Sequence, residues 1–240
     1  MEKLIVANWK LNPITFKEAK DLFGAVKKHA KVKNTQVVIC PPFVYLPLLK
    51  GLSLGSQNIS SEQKGAFTGE ISALQLKDLN IEYVIIGHSE RRKHFSETNE
   101  TVNKKIKMAL EAGLKVIFCI GENEGEEKNT ILQNQITKGL ADVLPAQMEQ
   151  VVIAYEPVWA IGTGKNCSTE ETKSAVESIK NTLISLYGSQ IAENTRILYG
   201  GSVNSTNSAE YLKNGEVNGL LIGGASLKPD EFIAIVKSTE

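Results

Sequence analysis

No apolar run in this sequence is long enough to cross a bilayer, which takes about 20 residues, so helical membrane proteins are excluded. Charge of one sign is also missing. The 27 Lys and Arg stand against 27 Asp and Glu, and no global field draws the chain to nucleic acid or to an anionic membrane. A small anionic ligand stays possible, because that takes only local charge and backbone N–H groups. Cysteine is scarce: Cys40, Cys119 and Cys167 are odd in number and lack the spacing of metal ligands, which excludes a disulfide framework and a cysteine-built metal centre. Reduced thiols and a cytoplasmic location are expected, since the apolar Leu4-Ile5-Val6-Ala7 near the start is too short for the core of a secretion signal. No Pro/Ser-rich linker, low-complexity tract or shift of composition divides the chain, so residues 1–240 are expected to fold as one domain.

What is present is an alternation of short apolar runs with amphipathic stretches. The runs predict strands at Lys3–Asn8, Gln36–Cys40, Leu52–Gln57, Tyr83–Gly87, Lys115–Ile120, Val151–Tyr155, Arg196–Tyr199 and Gly219–Ile222. Helices are expected between and after them, from a Thr15 cap to Ala30, near Val44–Lys50, and over Ser72–Asn80, Thr98–Ala112, Thr130–Val143, Thr169–Tyr187, Ser205–Asn214 and Asp230–Lys237. The strands are continuously apolar and not alternating, as in a parallel sheet covered on both faces. Eight strand-then-helix units of about 30 residues each have the βαβ period and most simply close into an α/β (β/α)8 barrel, with chemistry at the strand C-termini. A doubly wound open sheet is the competitor. Its dinucleotide version is opposed by the first turn, Asn8-Trp9-Lys10-Leu11-Asn12-Pro13, which contains no glycine.

Polar groups gather where those runs stop. Glu156 stands at the end of the sixth strand, Pro157 stiffens the start of the next segment, and Trp159 and Ile161 lead to the loose Gly162-Thr163-Gly164. A base on a strand end, followed by an apolar flap, has the form of a catalytic lid; a buried Glu and an ordinary core Trp are the alternative. His88, between Gly87 and Ser89-Glu90, sits at a helix start, a position that favours the neutral imidazole. Taken alone, Lys10 reads as a solvated charge and Arg91-Arg92 beside Glu90 as a structural ion-pair network, though both arginines could reach phosphate. Gly200-Gly201-Ser202 and Gly223-Gly224 are each weak turn signals. As a pair after strands seven and eight, they have the spacing of a barrel site that offers backbone N–H groups to phosphate.

Five motifs in order carry a family resemblance: Asn8-Trp9-Lys10, Gly87-His88-Ser89-Glu90-Arg91-Arg92, the stretch Ala154-Tyr155-Glu156-Pro157-Val158-Trp159-Ala160-Ile161-Gly162-Thr163-Gly164, Tyr199-Gly200-Gly201-Ser202-Val203, and Gly223-Gly224-Ala225-Ser226-Leu227. Together they span nearly the whole chain, and it resembles the triosephosphate isomerase family. The resemblance implies a homodimeric TIM barrel that interconverts dihydroxyacetone phosphate and D-glyceraldehyde 3-phosphate without metal or organic cofactor. It makes Glu156 the base that moves the carbon-bound proton, His88 the neutral electrophile, Lys10 the fixed positive charge with Asn8 in the same pocket, and Glu90 a supporting carboxylate. It makes Gly162, Ser202, Gly223 and Gly224 the holders of the phosphate. It also implies that the loop Asn58–Glu70 forms the dimer contact, with Thr68 at its tip beside Phe67. Closing an apolar lid would exclude water and protect the enediolate phosphate from elimination.

Three features depart from the family pattern. Lys165-Asn166-Cys167 ends in cysteine where a small residue is common, Asn218 stands where Asp is frequent and could weaken a contact to Arg196, and Phe43–Gly51 is short. Two other readings remain: a different phosphate-binding barrel enzyme, and an inactive barrel kept as a binding protein.

Overall fold

Val37, Val38, Ile39 and Cys40 are all buried, so their strand has no face left for water. The same holds along the other apolar runs, and β-branched residues suit a backbone buried on both faces. In this computed structural model, which describes residues 1–161 and 167–240, the runs form β1 (Lys3–Asn8), β2 (Thr35–Cys40), β3 (Ser53–Ser56), β4 (Tyr83–Ile86), β5 (Lys115–Ile120), β6 (Val151–Tyr155), β7 (Arg196–Tyr199) and β8 (Gly219–Ile222). They pair in parallel in chain order. β8 returns to β1 with Gly219 opposite Leu4 and Ile222 opposite Ala7, which closes the barrel. The expected (β/α)8 architecture is therefore the observed one, and the open doubly wound sheet is ruled out.

The helices around it are α1 (Phe16–Lys27), α2 (Ala73–Asp78), α3 (Ser89–Phe95), α4 (Asn99–Glu111), α5 (Lys128–Gly139), α6 (Thr169–Tyr187), α7 (Ser189–Asn194), α8 (Ser208–Asn214) and α9 (Pro229–Lys237). Local chemistry sets their starts. Thr15 and Glu18 form a capping box on α1, and Ser168 and Glu171 form another on α6. Two apolar layers result. Leu4, Val6, Ile85, Ile117, Val152 and Leu221 belong to an inner cluster, while strand residues of the other parity, such as Ile5 and Ile153, pack with helix residues such as Ile106 and Ile179 in an outer one. Each fully buried Leu or Ile contributes about 1.5–3 kcal/mol, so both layers stabilise the frame on which the strand ends are mounted. Cys40 belongs to the inner filling: a Cβ on Gly55 would lie 2.5 Å from its Sγ, and burial pushes its thiol up from the ordinary value.

Several boundaries moved from the sequence expectation. α1 stops at Lys27 and not Ala30. The segment after β2 is a short 3-10 helix, Phe43–Leu48, with Pro47 inside it. α5 runs from Lys128 to Gly139 because Glu127 caps it early and Asp142 adopts a left-handed φ of 60° soon after its end. α8 begins at Ser208, three residues later than expected, after side-chain turns made by Asn204 and Asn207. α7 was not anticipated. The Asn218 side chain has another partner: its Oδ1 accepts the Ile197 N–H at 2.9 Å and ties β7 to the turn before β8.

Candidate active site

The C-terminal mouth of the barrel is built from strand ends that stop for local reasons. β1 stops at Asn8, whose Oδ1 accepts the Lys10 N–H at 3.1 Å and folds the chain into a tight turn. Lys10 itself sits at φ 53°, a left-handed conformation that costs a non-glycine residue on the order of 1 kcal/mol. Gln57, just beyond β3, holds that turn by donating from Nε2 to the carbonyls of Lys10 at 2.8 Å and Cys40 at 2.9 Å. The Lys10 side chain then crosses to Glu90, with Nζ 2.5 Å from Oε1. Burial works against the Glu90 charge, but the Lys10 hydrogen bond and charge outweigh it, and the carboxyl lies below the ordinary range.

β4 ends at Ile86, and Gly87 turns the chain at φ 76°. His88 caps α3: its Nδ1 accepts the Glu90 N–H at 3.2 Å. An accepting Nδ1 carries no proton, so the neutral ring has its proton on Nε2. That Nε2 lies 3.0 Å from Oε1 of Glu156. The other carboxylate oxygen, Oε2, accepts the Ser89 N–H at 3.0 Å, and only 2 % of Glu156 is exposed. The Glu156 backbone is clamped against the neighbouring strand end, with its N–H 2.7 Å from the Ile120 carbonyl. Gly121 permits this approach, since a Cβ there would sit 1.7 Å from the Glu156 carbonyl oxygen.

Asn8, Lys10, His88, Glu156, Ser202, Gly223 and Gly224 all line one cavity of about 220 Å³, together with Ile161. Glu90 stands behind Lys10 and is not part of its lining. Gly223 presses on the lysine stem, where an added Cβ would lie 3.2 Å from Cε, and Gly224 opens the short 3-10 helix Gly224–Leu227. Ser202 Oγ donates to the Ala160 carbonyl at 2.6 Å, joining the loop after β7 to the one after β6. Gly162 lies outside the described residues, as does the expected loose end of the lid, Gly162-Thr163-Gly164. Its front is described: Val158–Ala160 form a 3-10 turn directly after Pro157.

Two neighbouring arrangements differ from the sequence reading. The arginine network does not use Glu90. Arg91 Nε pairs with Glu97 at 2.6 Å, and Lys105 Nζ reaches the same carboxylate at 2.5 Å and Asn58 Oδ1 at 2.7 Å. Burial disfavours the Glu97 charge, yet Lys105 and Arg91 hold its carboxyl below the usual range. Arg92 binds the Gly87 carbonyl and Asn99, and so fixes the turn behind His88. Sequence reasoning also missed Glu122. It is buried after β5, where Oε1 accepts from Tyr155 Oη and Trp159 Nε1, each at 3.0 Å, and thereby seats the front of the β6 loop. The only sequence signal was an acidic residue two positions after a strand. Among the described residues, no group of three or more His, Cys, Asp or Glu is placed to hold a metal ion.

Comparison with known proteins agrees with this geometry. The family model described as triosephosphate isomerase matches residues 3–239. Proteins named triosephosphate isomerase are similar along nearly their whole length. The one from Clostridium tetani (strain Massachusetts / E88) is 45 % identical, covering 97 % of this chain and 95 % of the relative. The one from Alkaliphilus oremlandii (strain OhILAs) is 44 % identical over 98 % of this chain and 99 % of the relative, and the one from Dictyoglomus thermophilum is 45 % identical over the same shares. A barrel closed by β8 on β1, a buried Glu–His pair at its mouth and a family match over residues 3–239 converge: the chain belongs to the triosephosphate isomerase family.

Proposed function

We propose that the mouth of this barrel performs the family reaction with Glu156 as base, His88 as electrophile and Lys10 as fixed charge. The enzyme is an aldose–ketose isomerase, an intramolecular oxidoreductase that interconverts dihydroxyacetone phosphate and D-glyceraldehyde 3-phosphate, and its role is in glycolysis. The observation that carries the assignment of roles is the 3.0 Å contact between His88 Nε2 and Glu156 Oε1 beneath a small cavity that also receives Lys10.

Glu156 takes the proton from carbon 2 of the aldose and returns it to carbon 1, through an enediolate. The base must first be released. Both carboxylate oxygens accept a hydrogen bond within the protein, one from His88 and one from Ser89. A substrate carbonyl oxygen that takes the His88 Nε2–H removes one of those donors and leaves the carboxylate free to turn toward carbon. His88 then stabilises the developing oxyanion and moves a proton between the two substrate oxygens. The Lys10 ammonium adds electrostatic stabilisation of the charge that develops on the enediolate. Backbone N–H groups at Ser202, Gly223 and Gly224 hold the phosphate, and Gly162 is assigned to the same task. Glu90 orients Lys10, and Asn8 shapes the turn that carries it. A coupled assay with glyceraldehyde 3-phosphate tests the reading: turnover by the native chain that disappears in Glu156→Gln is expected, and an unaffected variant would remove Glu156 from the mechanism.

The functional unit is a homodimer formed through Asn58–Glu70, and the chain, a single domain, works in the cytoplasm. Phe67 is half-exposed at the loop tip, while the base of the loop is anchored by Asn58 on Lys105. The Tyr45 hydroxyl bonds to the carbonyls of Pro13 and Ile14, which brings the 91 %-exposed Leu11 and 89 %-exposed Ile14 near the segment carrying exposed Val44. Such apolar exposure suits a protein interface. Shortening the loop around Phe67-Thr68 yields a poorly active monomer in sedimentation; a fully active native monomer would reject the dimer. The location is supported by three buried free thiols and by the absence, among the described residues, of a helix able to span a membrane.

A further inference from the structure

α8 and its N-cap residue reach the loop that follows β6 in two places, directly at Cys167 and through Ser202 at Ala160. Asn207, which precedes the helix, donates from Nδ2 to the Ser202 carbonyl at 3.2 Å, and the Ser202 hydroxyl binds the Ala160 carbonyl at 2.6 Å. Four residues further, and so on the same helical face, the Tyr211 hydroxyl donates to the Cys167 carbonyl. Ala160 belongs to the front of that loop and Cys167 to its end, where Ser168 then caps α6. Tyr211 is buried and stacks on Tyr199, with ring centroids 4.1 Å apart and planes 18° apart. Tyr199 in turn ends β7 and leads into Gly200-Gly201-Ser202 at the cavity.

From this circuit we infer that Tyr211 is a positioning residue for phosphate-bearing substrate: its hydroxyl and ring set the C-terminal end of the β6 loop against the β7 turn. Neither Tyr211 nor Asn207 lines the cavity, so their influence passes through Cys167 and Tyr199. The carbonyl of Cys167 lies just ahead of the α6 cap, in a buried residue, where losing its partner would leave an acceptor unsatisfied. Burial also raises the Tyr211 phenol above its ordinary value, so the hydroxyl remains a donor at neutral pH. The inference rests on the proposed phosphate site at Ser202, Gly223 and Gly224.

The test compares kcat/KM for glyceraldehyde 3-phosphate and for phosphate-free glyceraldehyde, in Tyr211→Phe and in Gly224→Pro. Tyr211→Phe keeps the ring stack and deletes only the hydroxyl. Gly224→Pro deletes one N–H of the phosphate site at a position where an added Cβ meets nothing within 4 Å. Any loss of folded protein lowers both substrates equally and cancels in their ratio. The expected result is that Tyr211→Phe lowers the phosphorylated substrate about three- to tenfold, the worth of one hydrogen bond, and leaves glyceraldehyde unchanged, while Gly224→Pro shows a larger loss of the same selectivity. If Gly224→Pro is selective but Tyr211→Phe lowers both substrates equally, or neither, the phosphate site stands and the positioning role is overturned. If Gly224→Pro does not separate the substrates, the phosphate site itself falls and the role of Tyr211 falls with it.

Discussion

The two ends of this barrel both carry polar groups, but only the mouth holds the proposed active site. At the floor, where the strands begin, Tyr83 Oη donates to Gln36 Oε1 at 2.7 Å, Gln36 Nε2 faces Ser53 Oγ at 3.5 Å, and Ser53 Oγ donates to Glu82 at 3.0 Å. Lys3 reaches the Val217 carbonyl at 2.8 Å, and Lys115 stands over the Tyr83 ring at 5.2 Å. These partners are tied to one another, and the depression of about 670 Å³ that Gln36, Ser53 and Lys115 share is lined by no histidine. At the mouth, glycines replace bulk at the turns, a cavity of about 220 Å³ remains, and Lys10, His88 and Glu156 point their heads into it. Polar groups seal when each finds a fixed partner. They react when one partner can be exchanged for substrate, the role proposed for the His88 contact to Glu156.

Short of deleting the Glu156 charge, breaking the mouth is expected to cost most in Lys10→Met, which keeps the apolar stem and deletes the charge. Steady-state kinetics should show kcat lower by about 10²–10³-fold, with circular dichroism unchanged. Lys10→Arg recovers part of the loss, since charge returns with altered geometry. Equal losses in both variants would contradict an electrostatic role. Next comes Glu156→Asp, which withdraws the carboxylate by one methylene; displacement of a reacting group by about 1 Å costs on the order of 10²-fold in kcat. Near-native turnover would contradict the assignment.

A smaller effect separates charge at the mouth from charge elsewhere. The Glu90 carboxyl is held below its ordinary value in the folded chain, so its pairing with Lys10 contributes stability above the unfolded pKa of about 4.3 and loses it as pH falls through the lower folded value. Thermal unfolding of native protein and Glu90→Gln should therefore differ at neutral pH and converge in acid. A difference that persists below the folded pKa would exclude this linkage. The smallest expected effect is at the floor, where Tyr83→Phe removes one hydrogen bond. It should cost about 1 kcal/mol of stability in denaturant unfolding and leave kcat unchanged; a loss of kcat would make the two ends less distinct than described.

The frame was legible because strands buried on both faces write themselves as unbroken apolar runs, and Val151–Tyr155 or Lys115–Ile120 could be bounded from sequence alone. α3 could be seen only as a start, because Ser89–Phe95 buries no residue and so shows no apolar period. α7 was missed because six residues after Gly188 are too few for a pattern. Around the site, residues in strong motifs were visible, whereas those whose role depends on a neighbouring strand were not. Gln57 looks like a polar strand end until β1 and β2 bring two carbonyls to it. Glu122 looks like the first of a solvated acidic run, Glu122 to Glu127, although it alone of those acids is buried.

The central claim is that Glu156 moves a carbon-bound proton in this cavity, and isomerisation of glyceraldehyde 3-phosphate in D2O tests it most directly. A proton held on a carboxyl can exchange with solvent before it is returned to carbon. Proton and deuterium NMR of the dihydroxyacetone phosphate formed should therefore show deuterium on carbon 1 for the native protein. In Glu156→Gln both turnover and label should disappear together. Product from the native protein with no deuterium, or continued deuterium uptake in Glu156→Gln, would contradict the account.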